Sequence, residues 1–421
     1  MTTTAPQPYS VDFARPLGGL EHFFSLIDQH RPVHFAMAAQ IEGPTAIPAW
    51  RTALDKMQER HPLLSVAIEM NDGHAPYFRT VGNVPIPLRV VPGLTVSNWE
   101  TEVARELATP FALGQAPLAR AVLMHGSFES VFILTTHHSI ADGISSAYAI
   151  RDVLRALTGE TLETLPLNPA QEPLAYMSVQ ATDEAKGPSQ PPVPDEGPLM
   201  TFRTIDNLSP KVEALRLTPE MTQALMERAR KERTTVHGAL CSALVLAGRE
   251  FSGSWNPSPV RVLSPISLRK ELGIGEDCGV FLWAGTVSMN PRTLADFWDM
   301  ARFAKSSLTN RQSLGRIAME MEGLEQTVSS GIDVHGAAQV LSQGFSCEIM
   351  LTNLGRLSVQ CDFHSLKLKA LWGPSVLLGF ETEQTVGVTT TNDSLCLLHT
   401  SFTPIPSLLP RAAKILKLAC E

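Results

Sequence analysis

The residues best suited to acid–base chemistry lie together in the stretch FILTTHHSIADGISSAYAIRDVLRALTG, residues 132–159. Two adjacent histidines, His137 and His138, end an apolar run, and Asp142 and Gly143 follow them. A neutral imidazole, whose ordinary pKa is about 6.5, takes a proton from a hydroxyl or an amine near neutral pH. The stretch therefore contains a candidate general base close to a carboxylate.

The residues alone leave three interpretations of this group open. A metal site is disfavoured, because His137 and His138 would point to opposite faces of a continuing strand and no third ligand is near in sequence. In a structural interpretation, one histidine is a buried core residue, Asp142 caps the following helix and Gly143 gives room for the turn. In a functional one, one histidine faces an apolar cavity as general base, the other supports the loop, and Asp142 pairs with a distant arginine.

The elements on either side must position these residues. The segments LARAVLMHG and SVFILTTHH predict two neighbouring strands. The spacing of Ile150, Val153 and Leu154 predicts a helix over 144–157, with Gly159 as its C-terminal cap. The histidines are therefore expected where a strand ends, and Asp142 where a helix begins.

Strand-like and helix-like stretches are mixed along the whole chain without a strict βαβ rhythm. This predicts an α+β fold with a mainly antiparallel or mixed sheet. One further helix is predicted over 46–60, ending before Pro62. A Pro-rich stretch near the middle suits neither helix nor central strand. We therefore expect an N-terminal lobe over 1–170, a linker over 171–203 and a C-terminal lobe over 204–421.

The composition excludes several classes of protein. The formal net charge is −8 over 421 residues, and there is no cluster of Lys and Arg of the kind that binds nucleic acid. No signal peptide is recognised at the N-terminus and no run reaches the roughly 18 apolar residues of a membrane span. We expect a cytoplasmic protein with no nucleic-acid or membrane partner.

The sequence also lacks the patterns of several cofactor and catalytic sites. There is no G-x-S-x-G elbow, no Walker A sequence and no H-E-x-x-H. Six scattered cysteines form no C-x-x-C pair, which predicts mostly buried thiols in a reducing compartment. They are Cys241, Cys278, Cys347, Cys361, Cys396 and Cys420. We expect no metal and no permanently bound cofactor.

The segment HHSIADG, residues 137–143, resembles the H-H-x-x-x-D-G motif of the superfamily of condensation domains and coenzyme A-dependent acyltransferases. That superfamily includes nonribosomal peptide condensation domains, polyketide-associated acyltransferases and the plant BAHD acyltransferases. Further segments are similar in the same order: RHPLL, TTVHGALCSAL, SPISLRKEL, CGVFLWAGTV and LTNLGRL. The resemblance covers nearly the whole chain. Because the D-F-G-W-G segment of BAHD enzymes is missing, the polyketide-associated or stand-alone ester-forming branch is the most similar.

The resemblance implies a fold of two chloramphenicol-acetyltransferase-like lobes, which form a V-shaped pseudo-dimer with an active-site tunnel between them. It makes His138 and Asp142 the catalytic pair of the motif. His138 would deprotonate the acceptor, which attacks the acyl thioester directly without an acyl-enzyme. Asp142 would form a salt bridge with an arginine of the second half, Arg269 first and Arg311 as runner-up.

The same resemblance assigns supporting roles and partners. His137, Gly143 and Arg269 would support the site. Thr352, Asn353 and Gly355 would line the tunnel and bind substrate. The co-substrate would be acyl-CoA or an acyl thioester on phosphopantetheine, and the acceptor a small molecule. An acyl carrier protein of a polyketide or nonribosomal peptide synthase is a candidate partner of this expected monomer.

The expected function is transfer of an acyl group from a coenzyme A or carrier-protein thioester to a hydroxyl of a secondary metabolite or lipid. Two alternatives remain. The same machinery would form an amide with an amine acceptor, or the chain would be a non-catalytic docking protein of the condensation type.

Overall fold

The computed structural model describes residues 12–70, 75–82, 84–92, 98–182, 198–206, 208–290 and 296–421. The first part of the chain forms β1 (Phe13–Pro16), α1 (Gly19–His30), β2 (Phe35–Glu42), α2 (Ile47–Arg60), β3 (Val66–Glu69), β4 (Tyr77–Thr80), β5 (Leu88–Pro92), α3 (Trp99–Leu107), β6 (Ala119–His125), β7 (Glu129–Thr136), α4 (Gly143–Leu157) and α5 (Gln171–Thr182).

The second part forms β8 (Lys211–Arg216), α6 (Pro219–Lys231), α7 (Val236–Phe251), β9 (Val260–Ser267), β10 (Leu282–Met289), α8 (Phe297–Thr309), α9 (Leu314–Ser329), α10 (Val334–Phe345), β11 (Ile349–Asn353), β12 (Asp362–Phe363), β13 (Leu366–Ser375), β14 (Gln384–Thr391), β15 (Ser394–Ser401) and α11 (Leu408–Cys420). Two short 3-10 helices lie at Pro62–Ser65 and Gly253–Trp255.

Two six-stranded sheets organise the two lobes. The first has the order β12-β13-β2-β7-β6-β5, and the second the order β10-β9-β11-β14-β15-β8. Most neighbours are antiparallel, but β5 with β6, and β11 with both β14 and β9, are parallel. A small third sheet has the order β1-β4-β3. The fold is therefore α+β with mixed sheets, as predicted.

The first lobe places α2 and α4 against one another beside its sheet. The helix predicted over 46–60 is confirmed as α2, and its apolar residues Trp50, Leu54 and Met57 are fully buried. Pro62, which cannot continue an α-helix, opens a 3-10 turn instead. The helix predicted over 144–157 is α4, and Gly159 just beyond it adopts a positive φ of 89°.

The second sheet has a helix layer on one face and the first lobe on the other. Side chains from α7, α8 and α11 share one core with alternate residues of β9, β11 and β14. The opposite face shares a larger core with the first lobe. Helices α9 and α10, which the sequence analysis did not predict, pack against α1 of the first lobe. The boundary between the lobes is therefore part of the hydrophobic core.

The chain crosses between the lobes near its end. Strand β13 pairs antiparallel with β2, so residues 362–375 extend the sheet of the first lobe. These residues belong to the lobe that was predicted over 204–421. The hydrophobic pattern along a strand gives no information about the sheet it joins, and only chain order had placed these residues in the second lobe.

The predicted linker begins with a helix. Residues 171–182 form α5, which packs on α9, and its first residues Gln171 and Glu172 are buried. The expectation that this Pro-rich stretch contains no helix was wrong here, because Pro173 lies in the first helical turn, where the missing N–H needs no intrahelical partner. Residues 183–197 of the predicted linker lie outside the described residues.

All six cysteines are free thiols. Four are buried, and Cys361 and Cys420 are partly exposed, which agrees with the expectation of mostly buried thiols. Within the described ranges, no helix combines the length and the apolar character that crossing a membrane requires.

Candidate active site

The two histidines lie just after strand β7, which ends at Thr136. Backbone atoms tighten the turn that follows, with the N–H of Ile140 donating to the carbonyl of His137 at 3.1 Å. Because the strand stops before the histidines, their directions are set by this turn and not by strand alternation. His137 is fully buried, whereas His138 keeps an accessible edge.

Asp142 is the N-cap of α4. Its backbone is extended, with φ −105° and ψ 176°, and its Oδ1 accepts a hydrogen bond from the Ser145 N–H at 2.7 Å. The structural interpretation of Asp142 as a cap is therefore correct. The cap and the ion pair described next involve the same carboxylate.

Asp142 also joins the two lobes. Arg269 Nη2 lies 3.1 Å from Asp142 Oδ1, and the Phe281 N–H donates to Asp142 Oδ2 at 3.1 Å. Ser145 Oγ accepts from Arg269 Nη2 at 2.6 Å. The structure thus pairs Asp142 with the first of the two arginines considered. Arg311 lies after α8, with its side chain near Gly285 of β10.

Gly143 allows a close approach between α4 and the second half of the chain. A Cβ at this position would lie 2.5 Å from Pro374 Cγ and 3.1 Å from Leu354 Cδ2. Its φ is not positive, so the backbone conformation at this position does not itself require glycine. The absence of a side chain is needed for packing against β13 and the loop after β11.

His137 is held by a carboxylate from α1. Its Nε2 lies 3.3 Å from Asp28 Oδ2, and its Nδ1 accepts from the Ser139 N–H at 3.1 Å. His34 Nδ1 lies 3.8 Å from the other oxygen of Asp28. Burial by itself would raise the pKa of Asp28, but the imidazoles of His137 and His34 hold that pKa below its usual value. The contact with Asp28 and the hydrogen bond at Nδ1 tie the loop that carries His137 to α1.

His138 has an apolar environment instead. Its ring stacks on Phe24, with centroids 4.1 Å apart and planes 15° apart, and Phe35 lies at 5.0 Å. Its Nδ1 is buried and has no partner at hydrogen-bonding geometry. Burial lowers the pKa of His138 to about 4, although nearby backbone groups and Asp142 act in the opposite direction. The imidazole is therefore neutral at pH 7.

His138 lines an apolar cavity between the lobes. The wall is built from both halves of the chain: α1, β2 and the start of α4 on one side, and β9, β10, α10 and β11 on the other. Four phenylalanines contribute to it, namely Phe23, Phe24, Phe35 and Phe345. The functional interpretation, a histidine facing an apolar cavity, thus describes the environment of His138.

The three residues expected to bind substrate are placed differently from one another. Thr352 is buried on the cavity wall beside Met350, two residues earlier on the same face of β11. Asn353 Oδ1 instead accepts from the Gly355 N–H at 2.8 Å. Gly355 has a positive φ of 66°, which the turn after β11 requires. Of these three, only Thr352 lines the cavity; Asn353 and Gly355 form a turn.

Several residues around the site were missed by the sequence analysis. Phe24 and Asp28 lie on α1, which was not predicted, although LEHFFSLIDQH has apolar residues at helical spacing. Ser145 lies three residues after the N-cap, where a reciprocal capping side chain is expected. The signals for the helix and the cap were present. Nothing in the sequence indicated which histidine Asp28 contacts.

A second ionic cluster lies behind the site and includes the RHPLL segment. Arg60 Nε and His61 Nε2 lie 2.8 and 3.0 Å from Asp152 Oδ2. Glu276, in the loop before β10, reaches Arg60 at 3.1 Å and Arg151 at 2.6 Å. Burial would raise the pKa of Asp152, but His61 and Arg151 hold it below its usual value. This cluster is a second polar connection between the two halves of the chain.

No three His, Cys, Asp or Glu side chains of the described chain converge in a way that could hold a metal ion.

Comparison with known proteins finds a family model for each half of the chain. The family model "Condensation domain" matches residues 22–185, and the model "Phthiocerol/phthiodiolone dimycocerosyl transferase C-terminus" matches residues 206–360. The first half of the chain thus resembles condensation domains and the second half resembles the C-terminal part of such a transferase, in agreement with the expected family.

Solved structures show the same two-lobed fold. Polyketide synthase associated protein 5 from Mycobacterium tuberculosis is 16% identical with a TM-score of 0.65, covering 98% of this chain and 99% of that one. The first condensation domain of the calcium-dependent antibiotic synthetase is 17% identical with a TM-score of 0.68, covering 97% of each chain. The fold is therefore that of the chloramphenicol-acetyltransferase-like two-lobed proteins, as the resemblance implied.

The curated relatives are much longer proteins. Tyrocidine synthase 3 of Brevibacillus parabrevis is 24% identical over 294 residues, which are 66% of this chain but 4% of the relative. Bacitracin synthase 3 of Bacillus licheniformis is 32% identical over 131 residues, which are 31% of this chain and 2% of the relative. The chain thus spans less than a tenth of the length of these relatives.

Proposed function

We propose that this protein is an acyltransferase that moves an acyl group from a coenzyme A or acyl-carrier-protein thioester to a hydroxyl of a secondary metabolite or lipid. The family, which includes polyketide-associated transferases, supports acyl transfer as the reaction class. The observation that carries the proposal is the position of His138, a neutral imidazole on the wall of a cavity shared by both lobes.

His138 acts as general base in this proposal. With Nδ1 buried, the accessible edge of the ring presents Nε2 to the cavity. Nε2 accepts the proton of the acceptor hydroxyl as the acceptor oxygen bonds to the thioester carbonyl carbon. The tetrahedral intermediate then collapses, the C–S bond breaks, and the leaving thiolate takes the proton back from the imidazolium. No acyl-enzyme forms, and the protons balance over the two steps.

The other groups position the reaction. A thioester is already activated, so holding both substrates beside His138 supplies much of the acceleration. Thr352 has the only other polar side chain free to meet substrate among the described residues of the wall, because the indole N–H of Trp283 is bonded to Glu320. We assign its hydroxyl to a hydrogen bond with a substrate oxygen. Asp142 and Arg269 hold the loop and are positioning residues.

The test is product formation from a panel of thioester donors, each offered as coenzyme A and as carrier-bound form, with alcohol and amine acceptors. Mass spectrometry identifies the ester or amide. His138→Gln is expected to lower kcat by about 10²–10⁴-fold, the usual contribution of a general base.

The matched control is His237→Gln. His237 is also a largely buried imidazole whose pKa burial lowers to about 4, and it contacts Ser264 Oγ at 2.9 Å in the second lobe. This variant should retain wild-type kcat. If His138→Gln transferred acyl groups at the wild-type rate, the assignment of His138 as general base would be wrong. If the wild-type protein formed only amides, the acceptor would be an amine and not a hydroxyl.

A further inference from the structure

The cavity beside His138 has an uncharged wall. Among the described residues that line it, none is Asp, Glu, Lys or Arg, and the polar side chains are those of His138, Thr352 and Trp283. Trp283 offers no free donor, because its Nε1–H donates to Glu320 Oε2 at 2.7 Å. The imidazole is itself neutral near pH 7. The wall therefore has nothing to compensate a charged group.

This composition discriminates between chemically similar substrates. A hydrocarbon or aromatic group gains from leaving water, by roughly fourfold in affinity for each buried methylene. An ammonium group at the same place loses its hydration and finds no anion. Aminoacyl groups and amino alcohols are thus disfavoured relative to isosteric groups that lack the ammonium.

Trp283 is the largest side chain of the described wall and is fixed in place. It is 6% exposed and lies at the start of β10, the edge strand of the second sheet. Its partner Glu320, on α9, accepts a further hydrogen bond from Arg316 Nε at 2.9 Å. The indole ring is therefore held from outside the cavity by a pair of charged side chains on a neighbouring helix.

We propose that the cavity beside His138 selects an uncharged, apolar substrate group, and that Trp283, held by Glu320, limits the size of the group that fits. The inference rests on the proposed acyl transfer for its meaning, since the group is part of either the acyl donor or the acceptor. The chemistry is the same in both cases, and the experiment separates them.

The first experiment measures binding to the wild-type 421-residue chain by calorimetry, without turnover. In the donor arm, the ligands are amide-linked pantetheine analogues carrying a 3-phenylpropanoyl or a phenylalanyl group. In the acceptor arm, they are 3-phenylpropan-1-ol and phenylalaninol. Each pair differs by one ammonium group. We expect the member without it to bind about 100-fold more tightly at pH 6 in one arm, and the difference to shrink as the pH is raised through the pKa of the ligand's amine.

Equal affinities within both pairs would overturn the selection of an uncharged group. These binding measurements do not depend on catalysis. If the protein bound the uncharged ligand more tightly but formed no ester or amide, the proposed acyl transfer would be wrong and the selection of an uncharged group would stand. The arm that shows the preference identifies whether the cavity holds the acyl group or the acceptor.

The second experiment varies the size limit. Affinities for straight-chain groups of about four to fourteen carbons, presented in the preferred arm, are compared between wild type and Trp283→Leu. We expect the preferred length to increase by about two to four carbons, with a gain of roughly fourfold per added methylene that becomes buried. Trp283→Phe and Glu320→Gln should widen the range of chain lengths that bind well. These two variants replace Trp283→Leu in the test if that protein does not fold.

The matched control is Trp298→Leu. Trp298 is also 6% exposed and its Nε1–H donates to the Ala419 carbonyl at 3.3 Å, but it lies in the core of the second lobe outside the cavity wall. It should leave the length preference unchanged. A folded Trp283→Leu protein with the wild-type preference, or an equal change in Trp298→Leu, would refute the role of Trp283.

Discussion

Two adjacent histidines have opposite environments in this protein. His137 contacts Asp28 and a backbone N–H, whereas His138 contacts Phe24 and Phe35 and has an unpartnered Nδ1. An apolar environment disfavours the charged imidazolium form of His138. The pair therefore divides into a histidine that holds the loop and one that stays neutral near pH 7, as the proposed general base must.

The lowered pKa of His138 predicts an acid-resistant enzyme. Because the pKa is about 4, His138 keeps its base form above that pH, and kcat/KM for an alcohol acceptor should show no loss attributable to His138 between pH 5 and 8. The expected acid limb has a midpoint near 4. A pH–rate profile, with circular dichroism at each pH to verify folding, checks this.

The same shift has a consequence for stability. The unfolded chain protonates His138 below about 6.5, while the folded protein does so only near 4. The unfolded state thus binds more protons than the folded state between pH 6.5 and 4, and the free energy of unfolding decreases as the pH falls through this window.

In the pH–rate profile, an acid limb of kcat/KM with a midpoint near 6.5 would contradict a buried, neutral His138 imidazole.

At the scale of residues, residue types and spacing limited the candidates for the general base to His137 and His138 but did not separate the two. The residue types identified an acid–base group, and the motif resemblance selected the second histidine. The contacts of Phe24 and Asp28 were not predictable, because both come from a helix more than 100 residues earlier in the chain. Burial and pairing depend on which residues meet in space, and local spacing does not contain that information.

The start of α4 is the element on which the site depends. Asp142 caps it, Gly143 is its first residue, and the loop before it carries both histidines. Gly143 lies against Pro374 and Leu354. The helix terminus is therefore fixed on three sides, by its own cap, by the interlobe ion pair and by close packing.

Gly143→Ala tests the close packing. The new Cβ would meet Pro374 Cγ at 2.5 Å, so we expect the free energy of unfolding to decrease by about 1–3 kcal/mol, the usual cost of overpacking. Urea unfolding measures it. We also expect lower kcat, since α4 and the His138 loop must shift to relieve the contact.

The control is Gly323→Ala on α9, where a Cβ would meet nothing within 4 Å. A helical glycine in open space gains about 0.5–1 kcal/mol on replacement by alanine. If Gly143→Ala also stabilised the protein, close packing would not be the reason for a glycine at this position.

Element prediction succeeded where one periodicity dominates. Helices α2 and α4 and strands β6 and β7 were predicted from apolar spacing within a few residues of their bounds. Helix α5 was rejected because of its proline, since the pattern alone does not reveal that Pro173 falls in a first turn. Helix periodicity is local, but the place where a helix begins depends on its packing partners, here α9.

At the scale of the molecule, the candidate active site lies between two lobes that share a core, and the sheet of the first lobe takes two strands from the second half of the chain. The Asp142–Arg269 pair joins residues 127 positions apart, and β13 extends the sheet of the first lobe. The ion pair is buried, with Asp142 3% and Arg269 6% exposed. Removing one partner of such a pair leaves an uncompensated charge in the core.

A double-mutant cycle on this pair is therefore expected to show strong coupling. Asp142→Asn keeps a side-chain oxygen for the helix cap but removes the charge opposite Arg269, so it should lower the free energy of unfolding by about 3–5 kcal/mol. Arg269→Met alone should also destabilise, and the double variant should be less destabilised than the sum. Denaturant unfolding of the four proteins measures the coupling.

Arg411→Gln serves as the control, because it removes an ion pair with Glu250 at the exposed surface of the second lobe. Surface pairs contribute little, so this variant should match the wild type in stability and activity. Strict additivity of Asp142→Asn and Arg269→Met would show that the two residues are not energetically coupled and that the lobes are held by other contacts.

The sequence by itself determined the α+β class, the major amphipathic elements and, through its resemblance to a known family, the two-lobed fold and the residues of the motif. These properties follow from residue type and periodicity over a few turns or strand lengths. The tertiary structure decided which histidine receives a carboxylate, why Gly143 has no side chain, that β13 joins the first lobe, and that the wall beside His138 is uncharged. Each of these depends on desolvation and contact between distant segments, which arise only when the chain is folded.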